Sequence, residues 1–210
     1  MQNKKTIIAF GAHTDDAELG AGGTINKFVE EGHDVYYVAF SSAEASLPQD
    51  APKDTLVKEC KRATSKIGIK EENLILYSYP VRTFKDYRQD ILDDMIELRK
   101  SLHPDIVFLP STGDTHQDHQ VVREEGFRAF KNCTIYGYEE LWNNISFPTD
   151  CFVKLEKKHI DKKIKAIQEY KSQQGRFYMK PDFTESLAKV RGAQINVLYA
   201  ETFELIRQIL

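Results

Sequence analysis

Apolar runs bounded by turn residues alternate along this chain with segments whose apolar positions recur at helical spacing. Short continuous apolar runs read as strands buried on both faces, and the helical spacing reads as helices with one buried stripe. The first run, Thr6 to Ala12, predicts a buried strand. A helix is expected over Glu18 to Glu31, carrying Leu19, Ile25, Phe28 and Val29 and stopping at Gly32, which suits the left-handed position after a helix. The alternation continues with a strand over Asp34 to Phe40, a helix over Asp54 to Ile67 stopped by Gly68, and a strand over Asn73 to Tyr79. Phe84 to Leu102 spaces Ile91, Leu92, Met95, Ile96 and Leu98 as a helix, and His103-Pro104 closes it before a strand over Asp105 to Pro110. Val121 to Phe130 predicts a helix, and Thr134 to Tyr138 and Phe152 to Leu155 predict strands. Lys157 to Ser172 and Thr202 to Leu210 predict helices, and Gln173 to Tyr199, with mixed signals, reads as loop plus helix.

Strand and helix in alternation predict an α/β, Rossmann-like, doubly wound and mostly parallel sheet with helices on both faces, because parallel crossovers are long and right-handed. No repeat, low-complexity tract or linker interrupts residues 1–210, so one domain is expected. In a sheet of order 3-2-1-4-5 the first and fourth strands lie side by side where the winding reverses, and ligands bind beyond their carboxyl ends. The first strand ends in GAHTDDAELGAGG and the fourth in PSTGDTHQDHQVV, so both unusual segments are expected at one crevice.

Composition removes several function classes. With 41% hydrophobic and 29% charged residues the chain reads as an ordinary globular protein. No apolar run approaches a bilayer-spanning length and the N-terminus lacks a signal-peptide pattern, so no transmembrane segment and a cytoplasmic location are expected. A net charge of -3 gives no footprint for nucleic acid, and the basic run from Lys154 to Lys165 is interrupted by Glu156 and Asp161. Cys60, Cys133 and Cys151 are scattered, without metal or redox spacing, and read as packing residues.

The chemistry concentrates at the two strand ends. His13, Asp15, Asp16 and Glu18 stand in one segment and Asp114, His116, Asp118 and His119 in the other. Imidazole and carboxylate suit zinc, and a catalytic zinc takes three protein ligands with one position open to water. Either Asp15 or Asp16 alone would read equally well as a cap on the following helix. Gly20, Gly22 and Gly23 do not form a dinucleotide fingerprint, and adjacent carboxylates would repel pyrophosphate; these glycines suit close helix-sheet approach or backbone access to a substrate. There is no nucleophile elbow around a serine and no P-loop.

These residues resemble the zinc-dependent sugar de-N-acetylases of the PIG-L/LmbE type. The resemblance rests on AHTDDAE, Ala12 to Glu18, against the family's A-H-P-D-D-x-E, and on HQDH, His116 to His119, against H-x-D-H, with PDIVFLP and the late YAETF, Tyr199 to Phe203, in support. It implies that His13, Asp16 and His119 bind zinc, with Fe2+ as a second candidate, and that Asp15 is the general base. It also implies that His116 stabilises or protonates the intermediate and leaving amine, with Asp118 orienting its ring. The substrate class implied is a small amino-sugar conjugate carrying an N-acetyl group. Homo-oligomerisation stays open.

The chain departs from the family pattern at Thr14, where proline is usual, and before Glu59, where the usual arginine is absent and only Lys58 stands nearby. Arg82, Arg88 and Tyr199 are candidate substrate contacts. Two other readings remain: a phosphoesterase with paired metals, and a sugar-binding protein that kept the fold without turnover.

Overall fold

The computed structural model describes residues 4–47 and 50–209. Among these residues seven strands form one sheet in the order β3-β2-β1-β4-β5-β7-β6. The strands are β1 Thr6–Gly11, β2 Asp34–Ala39, β3 Leu74–Leu76, β4 Ile106–Pro110, β5 Thr134–Tyr138, β6 Cys151–Leu155 and β7 Tyr199–Arg207. The helices are α1 Asp16–Glu30, α2 Thr55–Lys66, α3 Arg88–Leu102, α4 Gln117–Ala129, α5 Lys157–Ile167 and α6 Pro181–Ala193. β1 to β5 are parallel, and β1 pairs with β4 through Ile7–Ile106, Ile8–Val107 and Ala9–Phe108. The expected doubly wound sheet is therefore present, with its switch point between β1 and β4.

Each face of the sheet carries its own core. Ile7, Ala9, Tyr37 and Phe108 pack toward α1, α2 and α5, whereas Ile8, Phe10, Val38 and Val107 pack toward α3 and α4. Strands buried on both faces must be apolar at every position, which is why TIIAFG and IVFLP read as unbroken runs.

α1 is buried from Asp16 to Asn26, because the sheet lies on one side of it and α5 on the other. The glycines serve this packing. A Cβ at Gly20 would stand 2.3 Å from the Tyr138 ring, so the helix could not lie where it does with a larger residue there.

The C-terminal segment differs from expectation. The pattern over Thr202 to Leu210 predicts a helix, and Leu210 lies outside the described residues, but Tyr199–Arg207 is strand β7, antiparallel to both β5 and β6. Two buried glutamates disguise the strand. Glu201 accepts from Gly23 N at 3.0 Å, Thr24 N at 2.7 Å and Lys163 Nζ at 2.7 Å, and Glu204 accepts from Thr112 N at 2.7 Å. Partners from distant elements satisfy charges that locally suggested an exposed helix face. The helix expected to run on to Ser172 ends at Ile167, and β3 is shorter than its apolar run. No helix among the described residues is long and apolar enough to cross a membrane.

Candidate metal centre and active-site cleft

Beyond Gly11 the chain turns sharply, since a Cβ there would lie 2.5 Å from the His13 carbonyl oxygen. The turn delivers His13 to Asp15 over the end of the sheet and starts α1 at Asp16. Asp15 occupies the N-cap position yet makes no capping hydrogen bond, so its carboxylate is left to the cleft. Asp16 Oδ2 accepts from the His13 backbone nitrogen at 2.7 Å, which locks the turn. Thr14, in place of the family's proline, is held by its carbonyl oxygen, which accepts from the hydroxyls of Tyr37 and Tyr170. Both hydroxyls also meet the Glu18 carboxyl, whose pKa burial pushes up to about 8.

The loop after β4 and the first turn of α4 bring the second motif to the same place. His119 Nε2 lies 3.3 Å from His13 Nδ1 and 3.3 Å from Asp16 Oδ2, and His13 Nδ1 lies 3.4 Å from that same oxygen. Three donor atoms thus form a nearly equilateral triangle. Metal-donor distances of about 2.0–2.1 Å in a tetrahedral zinc site require donor-donor separations of about 3.3–3.4 Å, the edge of the tetrahedron. The residues therefore fit a small divalent cation.

Electrostatics point the same way. Burial works against the charged form of His13, but Asp16 and Asp118 hold its pKa up at about 9. Burial likewise opposes ionisation of Asp16, and His119 and His13 keep its carboxyl well below the usual range. The acids demand positive charge at the triangle, which protons or a metal ion can supply.

The outer contacts are more specific than the motifs suggest. His119 Nδ1 lies 2.9 Å from Asp114 Oδ2, and His13 Nε2 lies 3.1 Å from Asp118 Oδ2. Each imidazole of the triangle is thus backed by a carboxylate, an arrangement that sets tautomer and ring orientation. The expectation that Asp118 orients His116 is corrected here. The Asp118 side chain faces His13, while its backbone nitrogen donates to His116 Nδ1 at 3.2 Å. With Nδ1 accepting, a neutral His116 carries its proton on Nε2. Burial, followed by the charges of His119 and His13, lowers its pKa to about 4.

Asp15, Asp16, His13, His116 and His119 line one cleft of about 230 Å³. Glu140, Trp142, Arg176 and Tyr178 line it too, and motif reading did not find them. Glu140 is buried beside His119, with Oε1 lacking any hydrogen-bond partner, and burial and Asp16 push its carboxyl well up. Trp142 and Tyr178 stack in parallel with ring centroids 3.8 Å apart. The 170s segment that brings Arg176 and Tyr178 is anchored by Glu59, which accepts from Ser172 N at 2.9 Å and Ser172 Oγ at 2.6 Å.

Of the three candidate substrate contacts, Arg82 lines the cleft. Arg88 instead joins Glu124 and Glu125 on α4, and the Tyr199 hydroxyl donates to Glu185. Lys58 pairs with Asp54 on the surface of α2.

Residues 8–130 match the profile of GlcNAc-PI de-N-acetylases, the PIG-L family, over more than half of the chain. The chain belongs to this family. Membership places it among hydrolytic N-deacetylases. A protein of Escherichia coli (strain K12) named uncharacterized deacetylase YaiS is 26% identical over 180 residues, covering 80% of this chain and 92% of that one. Among solved structures, the N,N'-diacetylchitobiose deacetylase of Pyrococcus horikoshii superposes with a TM-score of 0.81 at 21% identity, over 98% of this chain and 85% of the other. GalB, the 4-carboxy-2-hydroxymuconate hydratase of Pseudomonas putida KT2440, superposes with a TM-score of 0.80 at 21% identity, covering 98% of each chain. At such identities the two structures share the fold, and a fold that carries both a deacetylase and a hydratase leaves the reaction to the site.

Proposed function

We propose that residues 1–210 form one catalytic domain, a zinc-dependent hydrolase that removes the acetyl group from an N-acetylated amino sugar. The observation that carries this reading is the donor triangle of His13 Nδ1, Asp16 Oδ2 and His119 Nε2, open to a cleft that also holds Asp15 and His116. The nitrogen and oxygen donors suit zinc and also accept Fe2+, the choice being set by availability in the cell. When bound, the metal polarises the acetamide carbonyl and makes water acidic enough to attack near neutral pH.

The protein's own groups supply the proton movements. Asp15 takes a proton from the attacking water as its oxygen adds to the carbonyl carbon, and the proton passes to the nitrogen as the carbon-nitrogen bond breaks. Acetic acid and the free amine result, and passage of the acid's proton to the amine leaves acetate and an ammonium group, so atoms and charge balance. His116, protonated on Nε2, donates a hydrogen bond to the carbonyl oxygen as negative charge develops there. Asp118 acts through His13 and is a positioning residue.

Paired metals are disfavoured. The donor clusters His13/His116/His119 and Asp16/His119/Glu140 meet at His119, whose Nδ1 is engaged by Asp114, leaving one nitrogen for one ion. The test combines metal analysis with acetate release from N-acetylglucosamine conjugates. About one zinc per chain and metal-dependent acetate release are expected, as for a three-ligand catalytic site. Phosphate release with two metals, or a metal-loaded protein that releases no acetate from any conjugate tried, overturns the reading.

A further inference from the structure

Arginine in this protein is almost always matched to an acceptor. Arg62 pairs with Glu169, Arg88 with Glu125, Arg123 with Glu124, Arg128 with Glu125 and Arg191 with Glu139. Arg99 and Arg207 donate to the carbonyl oxygens of Ala129 and Lys131. Among the described residues, Arg82 and Arg176 alone reach neither a carboxylate nor a carbonyl with the guanidinium, and both line the cleft. A guanidinium offers a planar fork of donors matched to carboxylate and phosphate oxygens.

Their settings support a binding role. Arg82 takes a left-handed backbone conformation, φ 69°, which costs a non-glycine residue energy and persists only where the surroundings impose it. What holds it is Asp118, whose Oδ2 accepts from the Arg82 backbone nitrogen at 2.6 Å and lies 3.1 Å from His13 Nε2. One carboxylate therefore sets the position of Arg82 relative to the metal triangle. Arg176 comes from a different loop, on the segment anchored by Glu59, and its Nη1 donates to the Tyr178 hydroxyl at 3.0 Å, which leaves the rest of its fork available.

We propose that Arg82 and Arg176 bind an anionic oxygen group, phosphate or carboxylate, on the substrate, so that the cleft prefers a negatively charged amino-sugar conjugate to a neutral one. This rests on the deacetylase reading for the sugar, while the anion site itself is carried by the two arginines. The Trp142-Tyr178 pair lines the same cleft and offers an aromatic surface for the sugar or its substituent.

The test compares three N-acetylglucosamine derivatives: the 1-phosphate, the carboxymethyl glycoside and the neutral methyl glycoside. The wild type and the variants R82M, R176M and R176K are assayed by acetate release. The corresponding deacetylated products are titrated against each protein by calorimetry. In the wild type, KM for at least one anionic compound is expected to lie about tenfold or more below that of the methyl glycoside. Each methionine variant is expected to shrink that ratio by about tenfold, the scale of one charge-assisted hydrogen bond. R176K keeps the charge and loses the fork, and is expected to recover part of the ratio. The phosphate and carboxylate arms identify which anion the site takes.

Acetate release with no preference for either anion, or with a preference that survives both methionine substitutions, overturns the anion site and leaves the deacetylase reading standing. Arginine-dependent binding of an anionic product, with no acetate released from any compound, upholds the anion site and overturns the deacetylase reading.

Discussion

Asp118 Oδ2 lies 3.1 Å from His13 Nε2, on the side of the ring away from the donor triangle. The same carboxylate accepts from the backbone nitrogens of Arg82 at 2.6 Å and Phe84 at 3.4 Å, so the loop after β3, the first turn of α4 and the turn after β1 meet at one side chain. Replacing Asp118 with alanine frees the His13 ring and is expected to weaken zinc binding by about 10–100-fold, as loss of an outer-shell partner does. Chelator competition measures this. Unchanged affinity would show that the contact does not brace the metal ligand.

Asp15 makes no capping bond and stands outside the triangle, so Asp15→Asn should leave the metal in place. The loss should appear in kcat, by about 10²–10⁴-fold, the usual contribution of a general base. Zinc content and single-turnover rate measured on one preparation separate the two effects. A variant that loses its metal would move Asp15 into the ligand set.

Glu59 lies behind the cleft wall and holds Ser172, next to the cleft-lining Gln173. Removing its carboxylate by Glu59→Ala releases the segment carrying Gln173, Arg176 and Tyr178, and KM is expected to rise about tenfold, equivalent to ~1.4 kcal/mol, with kcat little changed. Steady-state kinetics on the folded variant give the split. A fall in kcat at constant KM would contradict a role confined to the binding wall.

Glu201, in the late YAETF motif, sits against the middle of α1 and pairs with buried Lys163. Glu201→Ala would leave the ammonium buried without a partner, and a loss of about 3–5 kcal/mol is expected in denaturant unfolding. A loss under about 1 kcal/mol would mean that the lysine reaches solvent at little cost.

Gly20 faces the Tyr138 ring, so Gly20→Ala forces α1 away from the sheet and should cost about 1–3 kcal/mol despite alanine's better helix propensity. A stabilised variant would refute the close approach.

The alternation of apolar runs and helical spacing determined most of this fold by itself. Burial on both faces demands apolar strands such as TIIAFG and IVFLP, and the parallel crossovers then place the ends of β1 and β4 together. The donor-rich segments around His13 and His119 were legible for the same reason, being local clusters at strand ends whose adjacency follows from winding. Tertiary structure alone decided the rest. β7 can be a strand because Gly23, Thr24 and Lys163 donate to its buried Glu201 and Thr112 to its buried Glu204, and no local pattern announces partners so distant in the chain. Asp118 serves His13 rather than the neighbouring His116, because on a helix start the side chain and the backbone nitrogen of one residue face different ways. Glu140 reaches the cleft from the loop after β5, and Arg176 and Tyr178 reach it from the segment between α5 and α6; spacing in sequence carries no signal for side chains that only packing brings to one place.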